Sequence, residues 1–268
     1  MAIAIENARL YASLEEKVRE RTKDIEAKNV KLLELNEKLV KLNQDKDEFL
    51  GIAAHDLKNP LAAIQGLADM IDMSKEEIID LANMIQISSK QMFELIMNLL
   101  NVNSIESGKV QLSLYKLDIL PVLRWIINQY TERAKAKNIR LGFQYAQEIY
   151  YILGDEGTLR QILDNIVSNA VKYSLHDKNV FVRLSKNQQW VRCEVQDEGP
   201  GLNEVDRRKL FGKFTRLTPQ PTGDENSTGL GLFIVKKLVE ALNGEVWCES
   251  ELGRGSTFIV EFPRFDSV

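Results

Sequence analysis

The first 48 residues contain neither glycine nor proline, so nothing in this stretch interrupts a helix. One heptad frame places apolar residues at its a and d positions, namely Tyr11, Leu14, Val18, Ile25, Leu32, Leu35, Leu39, Leu42 and Phe49. The frame is interrupted by Asn7, Arg21, Lys28 and Lys46. This pattern predicts a signalling helix over residues 1–48 with a parallel dimeric coiled-coil seam, and favours it over a solvated helix or linker.

Residues 49–108 have the pattern of a helical hairpin. The first helix has an apolar stripe formed by Ala53, Leu57, Leu61, Ile64, Ala68 and Ile71. The second has a nearly strict a/d stripe formed by Ile78, Leu81, Ile85, Ser88, Met92, Leu95, Leu99 and Val102. Ser74 and Glu77 form a capping box, and Gly108 is suited to end the second helix. Because one hairpin cannot bury these stripes, we expect two copies to form a four-helix bundle, which makes the chain a homodimer.

Residues 109–268 alternate between helical and strand periodicity. Helices are predicted near Ile119–Lys137, Glu156–Ser174 and Leu230–Asn243. Strands are predicted at Ile139–Phe143, Val180–Ser185, Val191–Gln196, Glu245–Glu249 and Thr257–Phe262. Adjacent late strands indicate antiparallel hairpins in an α/β sandwich with helices over one face. The whole chain is therefore predicted to combine an α-helical part with an α/β part.

Composition excludes several classes of protein. The formal net charge is -4 and no basic stretch contains interleaved aromatic residues, which argues against nucleic-acid binding. No apolar run reaches the roughly 18 residues of a membrane span, and the start of the chain lacks the features of a signal peptide. Cys193 and Cys248 lack metal-ligand spacing and suggest a reducing compartment. We expect this portion to be cytoplasmic, whether the full-length protein is soluble or membrane-anchored.

His55 lies in the run His55-Asp-Leu-Lys-Asn-Pro60, off the apolar stripe, so its imidazole is expected to face solvent. A lone helical histidine is more often a surface or satisfied core residue, but this context favours chemistry. A carboxylate such as Asp56, accepting the proton on one ring nitrogen, makes the other nitrogen more nucleophilic. Pro60 removes the helical donor to the Asp56 carbonyl and is expected to bend the helix.

A second polar set lies at helical spacing and consists of Asn165, Asn169, Lys172 and Tyr173. These residues share one helix face, where an Asn oxygen is able to ligate Mg²⁺ and a Lys to neutralise polyphosphate. From spacing alone, an ordinary polar helix face explains the pattern equally well.

Two glycine motifs follow. Asp197-Glu-Gly-Pro-Gly201 ends a strand, where glycines let the backbone approach a ligand closely. Gly229-Leu-Gly231 opens a helix, whose first N–H groups and positive dipole end favour phosphate. The first motif alone is weak, since a simple turn accounts for it. Gly-x-Gly alone is also weak, but the helix that follows strengthens it.

In this order, the motifs resemble those of the sensor histidine kinases of two-component systems, over about residues 49–262. FLGIAAHDLKNPLAAI is similar to the H box of their dimerisation and histidine phosphotransfer domain, and residues 165–173 resemble the N box of their ATP-binding domain. Leu210–Arg216 resembles the F box, Asn203–Thr228 the mobile ATP lid, and Gly253–Thr257 the last glycine box. Met1–Tyr11 resembles the end of a GAF sensor domain, so an input domain is expected to precede this chain.

The resemblance implies a role for each matching residue. His55 would accept the γ-phosphoryl group of ATP, Asp56 would act as its base, and Asn59 would position water for dephosphorylation of the partner. Asn169 would ligate Mg²⁺, and Asp197 would accept from the adenine amino group. The remaining nucleotide-binding residues would be Asn165, Lys172, Tyr173, Gly199, Gly201, Arg216, Gly229, Gly231 and Thr257.

The implied activity is that of an ATP-dependent, autophosphorylating protein-histidine kinase, which passes phosphate to an Asp of a response regulator receiver domain. An ATP-hydrolysing conformational machine is the main alternative, because chaperones, topoisomerases and mismatch-repair proteins share the nucleotide fold. Those proteins typically carry a Glu four residues before the metal-ligating Asn, where this chain has Asn165, an amide that cannot act as a base. The full set of motif residues argues against an inactive scaffold, while a member dominated by phosphatase activity stays open.

Overall fold

The computed structural model describes residues 2–68, 75–107, 112–213, 215, 217–222 and 229–265. Within these ranges the chain forms two compact units, Met1–His55 and Asp56–Val268. The helices are α1 (Ala2–Ala68), α2 (Lys75–Glu106), α3 (Ile119–Ala136), α4 (Glu156–Tyr173), α5 (Glu204–Lys209) and α6 (Gly231–Ala241). The strands are β1 (Tyr115–Asp118), β2 (Arg140–Tyr145), β3 (Tyr151–Gly154), β4 (Asn179–Lys186), β5 (Trp190–Asp197), β6 (Glu245–Glu251) and β7 (Gly255–Pro263).

Helix α1 runs without a break from Ala2 to Ala68 and continues through Pro60. The predicted boundary at residue 48 is therefore not a break in secondary structure. The described a and d residues of the heptad frame are all exposed in the single chain, between 48% for Leu35 and 69% for Tyr11. At one of the polar interruptions of the frame, Lys28 Nζ lies 2.6 Å from Asp24 Oδ2, one helical turn away. The apolar seam that the sequence predicts is thus present on this helix and uncovered in a single chain.

The two faces of helix α2 differ in how far their side chains are buried. On the predicted stripe, Leu95 and Val102 are buried and the other described members are half-buried, whereas Phe93 and Leu100 on another face are exposed. The predicted stripe is therefore the more buried face of the helix. The capping box at Ser74 and the stop at Gly108 lie outside the described residues.

The α/β part is built on a five-stranded sheet of order β2-β4-β5-β7-β6. Strands β2 and β4 are parallel, and the other neighbours are antiparallel. Helix α4 packs between α3 and α6 and against β5, which confirms the predicted sandwich. The two-stranded antiparallel sheet of β1 and β3, and the short helix α5, were not predicted.

Buried residues alternate with half-buried ones along β5, and the buried face meets the helical layer. In β5, Val191, Cys193, Val195 and Asp197 are buried while the residues between them are half-buried. Helix α4 begins where the Asp155 side chain accepts a hydrogen bond from Thr158 N–H at 2.8 Å. Its apolar face contributes Leu159, Ile162, Leu163, Ile166 and Val167 to the core.

Both cysteines are free thiols, Cys193 buried and Cys248 half-buried. Burial raises the pKa of each thiol to about 12, so neither is a reactive thiolate at neutral pH. No helix in the described ranges combines the length and apolarity needed to cross a bilayer.

We predict that Ile166→Ala lowers the free energy of unfolding by about 2–5 kcal/mol, because Ile166 is only 1% exposed and truncation leaves a cavity. Urea unfolding followed by tryptophan fluorescence measures this change. The matched control is Leu252→Ala, at a side chain that is 67% exposed, with an expected change within about 0.5 kcal/mol. Equal unfolding midpoints for the two variants would contradict the assigned core.

Candidate active site

Helix α4 lies close to both glycine motifs. A Cβ added at Gly231 would lie 2.6 Å from Asn165 Oδ1, and one at Gly199 would lie 2.7 Å from the Tyr173 carbonyl oxygen. At Gly199 the close atom belongs to the backbone, so no side chain fits there, whereas a side chain at Gly231 would require the Asn165 amide to shift. The structure therefore brings the predicted N box together with the loop after β5 and the start of α6, although these segments are far apart in sequence.

A second pair of close approaches joins the loop after β5 to the β6–β7 turn. A Cβ at Gly201 would lie 2.0 Å from the Glu251 carbonyl oxygen, and one at Gly255 would lie 2.1 Å from the Asp197 carbonyl oxygen. Both glycines also have positive φ, at +68° and +100°. Glycine is required here for close approach and for backbone conformation together.

The predicted polar residues of α4 are all half-buried, which places them at the edge of the core. Asn165 Nδ2 donates to the Gln161 carbonyl at 2.9 Å, and this leaves its Oδ1 facing Gly231. Lys172 Nζ lies 5.7 Å from the centre of the Tyr173 ring. Within the described ranges, the Asn169 amide makes no hydrogen bond.

The Asn169 side chain offers an amide oxygen, a ligand type that hard cations such as Mg²⁺ and Ca²⁺ accept. No cluster of three or more His, Cys, Asp or Glu side chains that would hold a metal occurs in the described part of the chain. A cation bound at Asn169 would therefore take its other ligands from water and from a bound anion. Mg²⁺ is commonly held in this way, by few protein oxygens together with water and substrate phosphates.

Asp197 is 4% exposed at the end of β5. Its Oδ1 accepts from Gly199 N–H at 2.9 Å and from Ser256 N–H at 3.2 Å. Burial raises the pKa of this carboxyl to about 6, and the two N–H groups only partly oppose that rise. Since Oδ2 has no partner among the described residues, one oxygen is held by the fold and the other is left for a ligand donor.

The register of β5 and β7 separates two neighbouring residues of the last glycine box. Ser256 pairs with Asp197, and Thr257 pairs with Gln196. Because side chains alternate along a strand, Ser256 shares the Asp197 face and Thr257 points to the opposite face. A cleft of about 420 Å³ at the ends of β5, β6 and β7 includes Asp197 and Thr257, but none of the polar α4 residues. Ser256 therefore lies beside Asp197, on the opposite face of the sheet from Thr257.

The start of α6 has no side-chain cap. Gly229 has a φ of +66°, and the N-cap residue Leu230 supplies no side-chain hydrogen bond to the first turn. The first N–H groups of α6 therefore have no side-chain cap, at the positive end of the helix dipole.

The predicted lid is partly described. Asp206 Oδ2 accepts from Asn203 Nδ2 at 2.8 Å and from Thr218 N–H at 3.3 Å, so the short helix α5 is tied to the segment that follows it. Arg216, predicted to contact the γ-phosphate, lies outside the described residues, as do residues 223–228.

Lys137 and Thr222 attach this segment to α4, and sequence reasoning missed both. Thr222 N–H donates to the Lys172 carbonyl at 3.1 Å, and Lys137 Nζ donates to Thr222 Oγ1 at 3.2 Å. No periodic signal links residues this far apart in the chain.

His55, Asp56 and Asn59 all lie on α1. The His55 and Asn59 side chains are exposed and Asp56 is half-buried. The imidazole therefore faces solvent, as the sequence predicted. An exposed imidazole beside a carboxylate is able to act as a nucleophile toward a group presented from outside its helix.

The sheet has helices on one face, and glycine-lined loops meet a half-buried helix that bears the Asn residues. Together these features define a nucleotide-binding domain. Residues 154–266 match the family described as "Histidine kinase-, DNA gyrase B-, and HSP90-like ATPase". Residues 45–108 match the "His Kinase A (phospho-acceptor) domain".

Among similar proteins, the circadian input-output histidine kinase CikA of Synechococcus elongatus is 30% identical, over 98% of this chain and 36% of that protein. The sensor histidine kinase WalK of Bacillus subtilis is 28% identical, over 83% of this chain and 37% of that protein. The full-length ShkA crystal structure in complex with AMPPNP superposes with a TM-score of 0.63 and 29% identity, over 82% of this chain and 46% of that one.

The chain belongs to the two-component sensor histidine kinases. It spans about a third of the length of the curated relatives named above.

We predict that Asp197 makes stability depend on pH. Burial raises its pKa from the ordinary 3.8 to about 6, so the folded chain favours the protonated carboxyl. This contribution to stability is present below about pH 4 and is lost as the pH rises through about 6. Relative to Asp197→Asn, which does not titrate, the wild-type free energy of unfolding should fall over that interval in urea unfolding experiments. Parallel pH profiles for the two proteins would contradict the prediction.

Proposed function

We propose that this chain is the kinase core of a sensor histidine kinase, which transfers the γ-phosphoryl group of ATP to His55 and then to an Asp of a response regulator. The observation that carries the proposal is the approach of Asn165 and Tyr173 to Gly231 and Gly199. It unites three nucleotide motifs of the family around one helix, next to an aspartate with one unengaged oxygen. The same chain presents an exposed His55 within its phospho-acceptor domain.

ATP would be held by groups already described. Asp197 Oδ2 would accept a hydrogen bond from the adenine amino group, and the N–H groups at the start of α6 would receive the phosphates. Asn169 and Lys172 would lie beside the triphosphate, with Asn169 as a ligand of Mg²⁺. When bound, Mg²⁺ neutralises charge on the phosphate oxygens. The similarity to ShkA, whose structure contains AMPPNP, supports this assignment.

In the transfer step, an imidazole nitrogen of His55 forms a bond to the γ-phosphorus while the bond from that phosphorus to the β–γ bridging oxygen breaks. ADP leaves with the electron pair of the broken bond. The proton on the other ring nitrogen passes to the Asp56 carboxylate. The protein contributes mainly by positioning and by electrostatic stabilisation of the phosphates. The roles in nucleotide binding stay predictions for Arg216, Gly201, Gly229 and Thr257.

Two contacts favour transfer over hydrolysis. Asn165 has an amide where a water-activating carboxylate would stand, and that amide is engaged with Gln161. The adjacent Asp164 accepts a hydrogen bond from the Tyr130 hydroxyl at 3.0 Å, so it is turned toward α3. Neither side chain is placed to activate a water molecule.

The wider assignments are proposals of the same kind. We assign residues 1–48 to a signalling coiled coil, 49–108 to the dimerisation and phosphotransfer domain, and 109–268 to the catalytic ATP-binding domain. Dimerisation would cover the exposed heptad seam of α1. The receiver domain would dock near His55, with Asn59 placed to assist dephosphorylation, and this portion would work in the cytoplasm.

We predict that incubation with γ-labelled ATP and Mg²⁺ labels the wild type but not His55→Ala, because the acceptor nitrogen is gone. Asn169→Ala should reduce labelling by about 100-fold or more, the scale on which loss of one preorganised electrostatic group acts. Acid-labile, base-stable label on the protein is the measurement. The matched control is His176→Ala, which alters the other histidine of the chain and should be labelled like the wild type. Label that survives His55→Ala, or phosphate release without protein label, would refute the proposal.

We predict that Leu32→Asp weakens dimerisation, because Leu32 occupies an a position of the heptad frame. The neighbouring Leu33 has nearly the same exposure, 65% against 61%, but lies outside the seam, so Leu33→Asp is the matched control. Analytical ultracentrifugation should show a shift toward monomer for Leu32→Asp alone. Equal effects of the two substitutions on dimerisation would contradict the predicted coiled-coil register.

A further inference from the structure

The hydroxyl of Ser250 joins two segments beside Asp197. Ser250 is a half-buried residue of the edge strand β6, outside every predicted motif. Its Oγ accepts from Leu202 N–H at 2.8 Å and lies 2.9 Å from both the Gly255 carbonyl oxygen and Ser256 Oγ. A hydroxyl has one proton and two lone pairs. It therefore donates to Gly255 and accepts from Leu202 and Ser256, which uses its full capacity.

The segments that meet at this hydroxyl are the ones that orient the Asp197 carboxylate. Leu202 ends the loop that follows Asp197, and Gly199 in that loop donates one N–H to Oδ1. Ser256 begins β7 and donates the other N–H to the same oxygen. Both hydrogen bonds that fix the carboxylate thus come from segments that Ser250 ties together.

A backbone contact limits what loss of the hydroxyl would do. Gly253 N–H donates to the Pro200 carbonyl at 2.7 Å, which joins the same loop to the β6–β7 turn. Without the hydroxyl the loop should therefore loosen while the domain stays folded. The buried Leu202 N–H would be left without its acceptor, a destabilising state for that loop conformation.

We infer that Ser250 is a positioning residue for the nucleotide base. Its hydroxyl holds the loop of residues 198–202 against the β6–β7 turn, so that Asp197 presents Oδ2 to the exocyclic amino group of adenine. The inference rests on the proposed function, in which Asp197 accepts a hydrogen bond from that amino group. Its specific consequence is that loss of Ser250 should weaken the contact with the amino group and spare the rest of the nucleotide.

The test compares ATP with purine riboside triphosphate, which lacks the 6-amino group, by isothermal titration calorimetry. Ser250→Ala should weaken ATP binding about tenfold and leave the analogue nearly unchanged. The labelling rate at saturating ATP should stay within about twofold of wild type, since the lost contact serves binding. Ser250→Thr keeps the hydroxyl and should restore the preference for ATP. Ser185→Ala, at an exposed serine of β4, is the matched control.

Asp197→Asn separates the inference from the function on which it rests. Its amide oxygen would be retained by the two N–H donors, so its NH₂ group would face the adenine amino group and the preference for ATP should vanish. If Asp197→Asn keeps the wild-type preference, the proposed role of Asp197 fails and the inference fails with it. If Asp197→Asn abolishes the preference but Ser250→Ala keeps it, only the positioning role of Ser250 is wrong. Equal losses for both nucleotides in Ser250→Ala, or no restoration by threonine, would also overturn the inference.

Discussion

The amphipathic packing of α4 is the interaction on which the site depends. Seven apolar residues of this helix are buried in the core, where the helix packs against α3, α6 and β5. Burial of that face fixes the rotation of the helix, because turning it would expose apolar surface to water. The polar side chains from Asn165 to Tyr173 are therefore held at the edge of the core. The direction of the proposed nucleotide-binding face is therefore set by the apolar face on the other side of the helix.

Periodicity in the sequence predicted the main helices and strands of the α/β part to within a few residues, since each has a clear apolar face. It missed β1 and β3, which have four residues each and pair only after the chain has passed through α3 and β2. It missed α5 because six residues give no period to detect. It divided α1 near residue 48, where the heptad pattern gives way to another stripe but the backbone continues as helix.

For the site, motifs identified the segments but not their register. Asp197 and Thr257 were both selected, and only the pairing of β5 with β7 shows that they belong to opposite faces of the sheet. The contacts of Lys137 with Thr222 and of Ser250 with Leu202 join residues with no local relation in sequence. Such contacts depend on tertiary placement, so a single sequence contains no pattern that would indicate them. The solvent-facing His55, by contrast, follows from its place off a helical stripe.

The contact between Gly231 and Asn165 constrains how this chain is able to change over generations. The space that a methyl group at position 231 would need is already filled by the amide oxygen at position 165. A residue with a side chain at 231 would displace the Asn165 amide, whose Nδ2 donates to the Gln161 carbonyl. We therefore expect positions 165 and 231 to change together rather than independently.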